Sequence, residues 1–181
     1  MKIAFIVGRF PALSETFILN QITGLLNLGH DIEIFAVLKN NEKKVHPDIE
    51  KYNLMEKVSY FSIPQNQIIR LFKALYLVTV NFNKSPSKVI NSLNVFKYGR
   101  AALSLRLLYY LVPFLGKKFD IIQCHFGSIG NIGAMLKQLG IEGKLVTMFH
   151  GCDIREGLNK GGKIYKNLFL PNNMVFHPCN L

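Results

Sequence analysis

Residues 144–153 read Lys-Leu-Val-Thr-Met-Phe-His-Gly-Cys-Asp, an apolar run of strand character that stops in a histidine, a glycine and an aspartate. The same grammar occurs twice more. Phe119-Asp-Ile-Ile-Gln-Cys runs into His125 and Gly127, and Lys2-Ile-Ala-Phe-Ile-Val runs into Gly8-Arg9-Phe10-Pro11. Runs this short and this rich in Ile, Val and Phe suit strands buried on both faces, which belong to parallel sheets. Open α/β sheets hold their ligands at the carboxyl ends of such strands. Three strands are therefore expected to deliver polar or glycine-bearing tips to one edge, and that edge is the candidate site.

The segments between these runs supply the crossovers. Ser14 precedes a stretch with Phe17, Ile18, Ile22, Leu25 and Leu26 at helical spacing, and Gly29 follows as a stop, so Ser14 is expected to cap a helix. Residues 31–38 alternate as a second strand, which makes residues 2–38 a βαβ unit. The polar residues 39–57 read as a surface loop before a short strand at 58–61, followed by helices at 66–80 and 87–112 with a turn at 81–86. A strand at 119–124, a helix at 129–139 and a strand at 144–149 restore the βαβ rhythm. No repeat or linker divides the 181 residues. A composition of 49% hydrophobic and 18% charged residues excludes disorder and supports one sizeable core. The expected class is α/β, a Rossmann-like parallel sheet flanked by helices.

The formal net charge of +11 is unevenly spread: residues 57–118 hold ten Lys or Arg and no Asp or Glu. The same stretch carries the apolar runs 68–78 and 101–115, a combination that suits an anionic membrane surface. It also suits core-facing helices whose exposed sides are basic. A nucleic-acid groove is not expected, because no reader motif accompanies the charge. Cys124, Cys152 and Cys179 are odd in number and lack C-x-x-C spacing, so a disulfide framework is not expected and a reducing cytoplasm is. No secretory leader is read at the start. Arg70, Lys73 and Arg106 interrupt the apolar runs short of the roughly 20 residues a spanning helix requires.

The strand tips carry the chemistry. A G-x-G-x-x-G fingerprint is missing after the first strand and no acidic residue closes the second, so a dinucleotide is disfavoured. Gly8 with little bulk, the cation of Arg9 and helix-start amides near Ser14, Glu15 and Thr16 instead suit an anionic group such as a diphosphate or phosphosugar. The same glycine also serves if it only makes a turn. His125 and His150 stand at equivalent strand tips, where a histidine is either a core residue or a ligand contact. His125, His150, Asp153 and Cys152 are zinc ligands by type, but they lack metal-finger spacing and no metal is expected. Cys124 and His125 are neighbours on a strand and point to opposite faces, so they form no nucleophile–base pair.

Four segments then occur in order: Phe10-Pro-Ala-Leu-Ser-Glu-Thr-Phe-Ile-Leu-Asn-Gln21, Leu-Gly-His-Asp at 28–31, His125-Phe126-Gly127 and Phe149-His150-Gly151-Cys152-Asp153. Together they resemble the N-terminal half of family 4 glycosyltransferases of the colanic-acid and exopolysaccharide type, over residues 1–169. The resemblance implies a GT-B fold, with two Rossmann-like domains facing across a cleft. It implies retaining transfer of a sugar from a nucleotide-sugar donor to a saccharide or lipid-linked acceptor in surface polysaccharide synthesis, with no metal or other cofactor. Matched by motif, Gly8, Arg9 and Gly151 approach the donor phosphate and sugar, and His150 and Asp153 are the catalytic pair. Ser14, Glu15, Thr16, His125, Phe126 and Gly127 line the acceptor side. The basic apolar stretch then implies peripheral attachment at the inner face of the cytoplasmic membrane.

Residues 170–181 depart from this pattern. A strand resembling Phe-Ile-Pro-Val-Thr is expected there, and the codons for Phe-His-Pro-Cys-Asn at 176–180 yield that peptide when displaced by one base. A frameshift replacing the last dozen residues is the expectation, with a donor domain missing, no transfer by the chain alone, and no selected role for His177 or Cys179. Two alternatives stand beside it: one subunit of a split transferase, and a non-catalytic membrane-associated binding subunit.

Overall fold

The computed structural model describes residues 1–40, 45–159, 165, 168 and 175–178. Its centre is a six-stranded sheet in the order β3-β2-β1-β4-β5-β6, with every neighbouring pair parallel. The strands are β1 (Lys2–Phe10), β2 (Asp31–Lys39), β3 (Val58–Tyr60), β4 (Ile121–His125), β5 (Lys144–Phe149) and β6 (Val175–Pro178). From β1 the chain builds outward to β2 and β3, then returns to lay β4 on the other side of β1. The order reverses between β1 and β4, the point at which open α/β sheets leave a crevice.

Strand alternation divides the core in two. Ile3, Phe5 and Val7 face one side of β1 and pack with Ile18, Leu19 and Ile22 of α1 (Thr16–Asn27) and with Ile49 of α2 (Pro47–Lys51). Ala4 and Ile6 face the other side, under Ile132 and Leu136 of α8 (Gly127–Gln138) and beside Leu107 and Leu111 of α7 (Arg106–Leu111). Crossovers β1–α1–β2 and β4–α8–β5 advance in opposite directions, so their shared right-handedness puts the two helices on opposite faces. On the α8 side Phe35 stacks on Phe114 at 4.2 Å, and Phe61, Phe119 and Tyr110 extend the cluster. Such ring pairs each contribute about 0.5–1.5 kcal/mol beyond the area they bury.

Four expectations are corrected. Gly8 and Arg9 do not break the first strand: β1 pairs with β2 as far as Phe10↔Lys39, and pairing ends at Pro11, which has no amide to donate. Ser14 does not cap a helix. It sits inside a 3-10 turn at Leu13–Glu15, closed by Glu15 N donating to Ala12 O at 3.3 Å, and α1 begins only at Thr16. The presumed loop at 39–57 holds α2, whose first turn carries Pro47 and whose Asp48 amide donates to the His46 ring, and then a 3-10 turn at Leu54–Lys57. The helix expected at 87–112 is instead α4 (Pro86–Ser92), α5 (Val95–Tyr98), α6 (Arg100–Leu103) and α7. Left-handed backbone at Gly99 (φ +53°) and Leu105 (φ +60°) divides it, and the Asn94 side chain caps α5.

The other elements lie close to expectation, with α3 (Gln67–Asn81) capped by Asn66 and α9 (Gly151–Asn159) following β5. Most of residues 170–181, including Cys179, lies outside the described residues; the described part is β6, whose backbone extends the sheet beside β5.

Candidate functional site

His125 is the last residue of β4 and is fully buried. Alternation sends Cys124 toward α8 and His125 toward α1, where its ring stacks on Phe5 at 6.0 Å and meets Phe17 at 5.8 Å. His150 follows β5, and the two histidines meet: His125 Nδ1 lies 3.4 Å from His150 Nε2, with the rings 20° from parallel. Phe17 and Phe126 close on the His150 ring at 4.6 and 4.5 Å.

Burial pushes the His125 pKa down to about 4, and the neighbouring His150 adds to the fall. Burial also lowers that of His150, against the opposing pull of Asp153. Both imidazoles are therefore neutral near pH 7, and one ring must donate to the other. His125 Nε2 is buried without a partner among the described residues. An orphaned acceptor costs less there than an orphaned N–H, so the favoured tautomer has His125 Nδ1–H donating to His150 Nε2.

Asp153 fixes this geometry. Its Oδ1 accepts from the amides of His150 (2.7 Å) and Ile154 (3.1 Å), while Oδ2 accepts from the amide of Gly127 (2.7 Å). Asp153 is the third residue of α9 and His150 is its cap, so the contact to His150 N is the acidic half of a capping box. Because Gly127 opens α8, one buried carboxylate ties two helix N-termini together and complements the partial positive charge of both. Between β4 and α8, Phe126 adopts φ +70°, a conformation costing roughly 1–3 kcal/mol for a non-glycine residue. That turn lays its ring over His150.

A second cluster lies at the ends of β1 and β2. Gly8, Arg9, Ser14 and Glu15 line an open pocket of about 350 Å³ with Asn40 and Ile129. Burial raises the Glu15 pKa, and Arg9 opposes the shift. Thr16 begins α1, exposed and outside this lining, and exposed Gly151 begins α9 with open space where a Cβ would stand. The structure thus gathers the expected residues into two groups, His125, Phe126, Gly127, His150 and Asp153 in one and Gly8, Arg9, Ser14 and Glu15 in the other. Residues 15–17 connect them along the chain. Among the described residues no three His, Cys, Asp or Glu side chains converge as metal ligands.

Two features escaped the sequence reading. Phe17 serves there only as a helix-face residue, yet it touches both histidines. The three-residue spacing of Gly127, Gly130 and Gly133 along α8 also went unread, and of these glycines only Gly127 was singled out. A Cβ on Gly130 would stand 2.5 Å from Thr147 Cγ2, and one on Gly133 would stand 2.7 Å from Cys124 Sγ. At Gly127 the obstacles are the rings of Phe149 and Tyr165, both at 2.6 Å. The absent side chains let α8 sit close on β4 and β5, which brings its amino end to the His125–His150 pair.

Three known sequences align with nearly all of this chain. "Putative colanic acid biosynthesis glycosyltransferase WcaL" of Salmonella typhimurium is 34% identical over 181 residues, and the protein of that name from Escherichia coli K12 is 33% identical over 183. "Amylovoran biosynthesis glycosyltransferase AmsK" of Erwinia amylovora is 34% identical over 184 residues. Each alignment covers 97% of this chain and 44% of the relative, so the chain spans less than half the length of the proteins it matches. No family model and no solved structure matches it.

Proposed function

Because this chain is a relative of the exopolysaccharide-biosynthesis glycosyltransferases over nearly its whole length, we propose that it forms the acceptor-side Rossmann-like half of a family 4, GT-B glycosyltransferase. The observation that carries this reading is the His125–His150 pair, caged by Phe17 and Phe126 at the carboxyl edge of the sheet. In this reading a hexosyl group passes with retention from a nucleotide-sugar to a saccharide or lipid-linked acceptor, without a metal ion, on the cytoplasmic side of the membrane.

The chemistry asks for groups that stabilise positive charge at the anomeric carbon and negative charge on the departing diphosphate. His150, neutral and half-buried, offers a hydrogen-bonding ring nitrogen to the transferred sugar, a contact that counts for most once a second wall excludes water from it. The backbone at Gly151 and the cation of Arg9 face the diphosphate. Glu15 and Ser14 in the adjoining pocket bind acceptor hydroxyls, with the raised pKa of Glu15 favouring proton exchange with one of them. Asp153 positions His150 through the backbone. Because the relatives are more than twice as long as the matched region, donor binding and turnover need a second wall. The chain alone is expected to bind without transferring.

Titration of the 15N-labelled chain with acceptor-type oligosaccharides tests this directly. Amide shifts are expected at residues 14–17, 125–127 and 150–151. Shifts confined elsewhere, or none with any saccharide, would refute the acceptor-wall assignment.

A further inference from the structure

Helix α3 packs Ala74, Leu77 and Val78 against the core but turns most of its apolar residues to solvent. Arg70, Ala74 and Asn81 are buried against the domain, while Ile68, Ile69, Leu71, Phe72, Leu75 and Tyr76 are between 49% and 68% exposed. The two buried polar side chains are satisfied. Arg70 donates from Nε to Pro64 O at 2.9 Å, from Nη1 to Ser104 O at 3.3 Å and from Nη2 to Gln65 O at 3.2 Å, and Asn81 Nδ2 donates to Leu77 O. Tyr109 OH in turn donates to Arg70 O at 2.7 Å. The Ser104 and Tyr109 contacts tie the helix to the α6–α7 region, the other bonds are local to residues 64–81, and the larger part of its apolar surface is left outward. Soluble monomers rarely keep so much contiguous apolar surface without a use for it.

Beside the start of α3 the surface sinks into an open depression of about 630 Å³, where Ile68 and Leu71 face Arg100 and Leu103 of α6. Leu103 is 69% exposed, and Phe96 on α5 projects fully into solvent. Lys73, Lys84, Lys88, Lys97, Arg100 and Arg106 belong to the same α3–α7 segment, and residues 57–118 contain no carboxylate at all. A complementary surface must therefore be apolar and uniformly anionic. A bilayer of anionic phospholipid meets both conditions at every point, whereas a protein partner would have to interleave carboxylates with a large apolar face. With 15 residues, α3 is about 22 Å long, and no described helix is long and apolar enough to cross a membrane.

We propose that α3 lies flat on anionic phospholipid membranes, its outward Ile, Leu and Phe side chains in the headgroup–acyl boundary and the surrounding cations on lipid phosphates. Membrane docking is independent of sugar transfer, so either assignment can fail without the other.

Co-sedimentation of the 181-residue chain with vesicles decides the matter. Vesicles of equimolar phosphatidylcholine and phosphatidylglycerol should bind it, more weakly as salt rises, and phosphatidylcholine vesicles should bind it poorly. The double variant Phe72→Ser/Leu75→Ser, at exposed positions and so retaining the wild-type melting temperature, should reduce partitioning about tenfold or more. Lys73→Glu combined with Arg100→Glu should weaken binding to the anionic vesicles by a comparable factor. Failure to bind anionic vesicles, or binding indifferent to both double variants, overturns the proposal. So does light scattering that shows a stable dimer dissolved by Phe72→Ser/Leu75→Ser, because the apolar face then belongs to a second copy of the chain.

Discussion

His125 couples the site to pH. Unfolded, its imidazole titrates near 6.5; folded, burial and the neighbouring His150 hold it at about 4. Between those values the unfolded chain binds the extra proton. This contribution to stability is therefore complete above about pH 6.5 and declines as pH falls toward 4, by about 3 kcal/mol at the lower limit. Phenylalanine at this position keeps the ring against Phe5 and removes both the titration and the unpartnered Nε2. Denaturant unfolding of His125→Phe across that pH range is expected to show a smaller slope than wild type, and equal slopes would mean that His125 is not the group responsible. The two histidines are visible in the sequence because each ends an apolar run. Their contact is not, since it depends on the pairing of His125 with Met148 across β4 and β5. Asp153 is likewise visible at its strand tip, but its structural role is not: its partners are backbone amides of residues 127 and 150, which carry no mark in the sequence.

Among the elements, α8 sets the closeness of helix to sheet at the site. A methyl group on Gly130 would stand 2.5 Å from Thr147 Cγ2 and 2.8 Å from its Oγ1, on a buried β-branched side chain with little rotamer freedom. Gly130→Ala is expected to lift α8 from β5 and lower stability by about 1–3 kcal/mol, outweighing the gain in helix propensity of about 1 kcal/mol. Gly24→Ala in α1, where nothing lies within 4 Å of the added carbon, is the control and should be neutral or stabilising in thermal unfolding. Parallel strands are legible because burial on both faces leaves continuous apolar runs, as at residues 3–7. The division of 87–112 is less so. Gly99 could have signalled a break, but Leu105 takes a left-handed conformation that no local preference of leucine requires, and tertiary packing imposes it. Gly8 misleads in the opposite sense, since it continues a strand where a glycine suggests a turn.

For the molecule as a whole, the switch between β1 and β4 places every candidate residue on one edge, and in the proposed reading that edge is one wall of a cleft. One wall can orient an acceptor. It cannot hold the donor at reacting distance, and positioning of that kind can supply about 7–11 kcal/mol of a barrier reduction. A chimera in which this chain replaces the matching region of the Erwinia amylovora relative provides the second wall without altering residues 1–181. Such a protein should transfer sugar where this chain alone produces none. His150→Ala in the chimera should then reduce kcat by about 10²–10³, the usual cost of removing one fixed hydrogen-bonding group from a dry site, with a much smaller change in KM. His150 caps α9 through its backbone and its ring is only partly buried, so the variant chimera should still fold, with some stability lost because His125 Nδ1–H loses its acceptor, and a circular dichroism melt would verify this. Loss of turnover in a folded chimera places His150 at the reacting sugar. An unchanged kcat would assign the His125–His150 pair to architecture alone and leave catalysis to the pocket lined by Arg9 and Glu15.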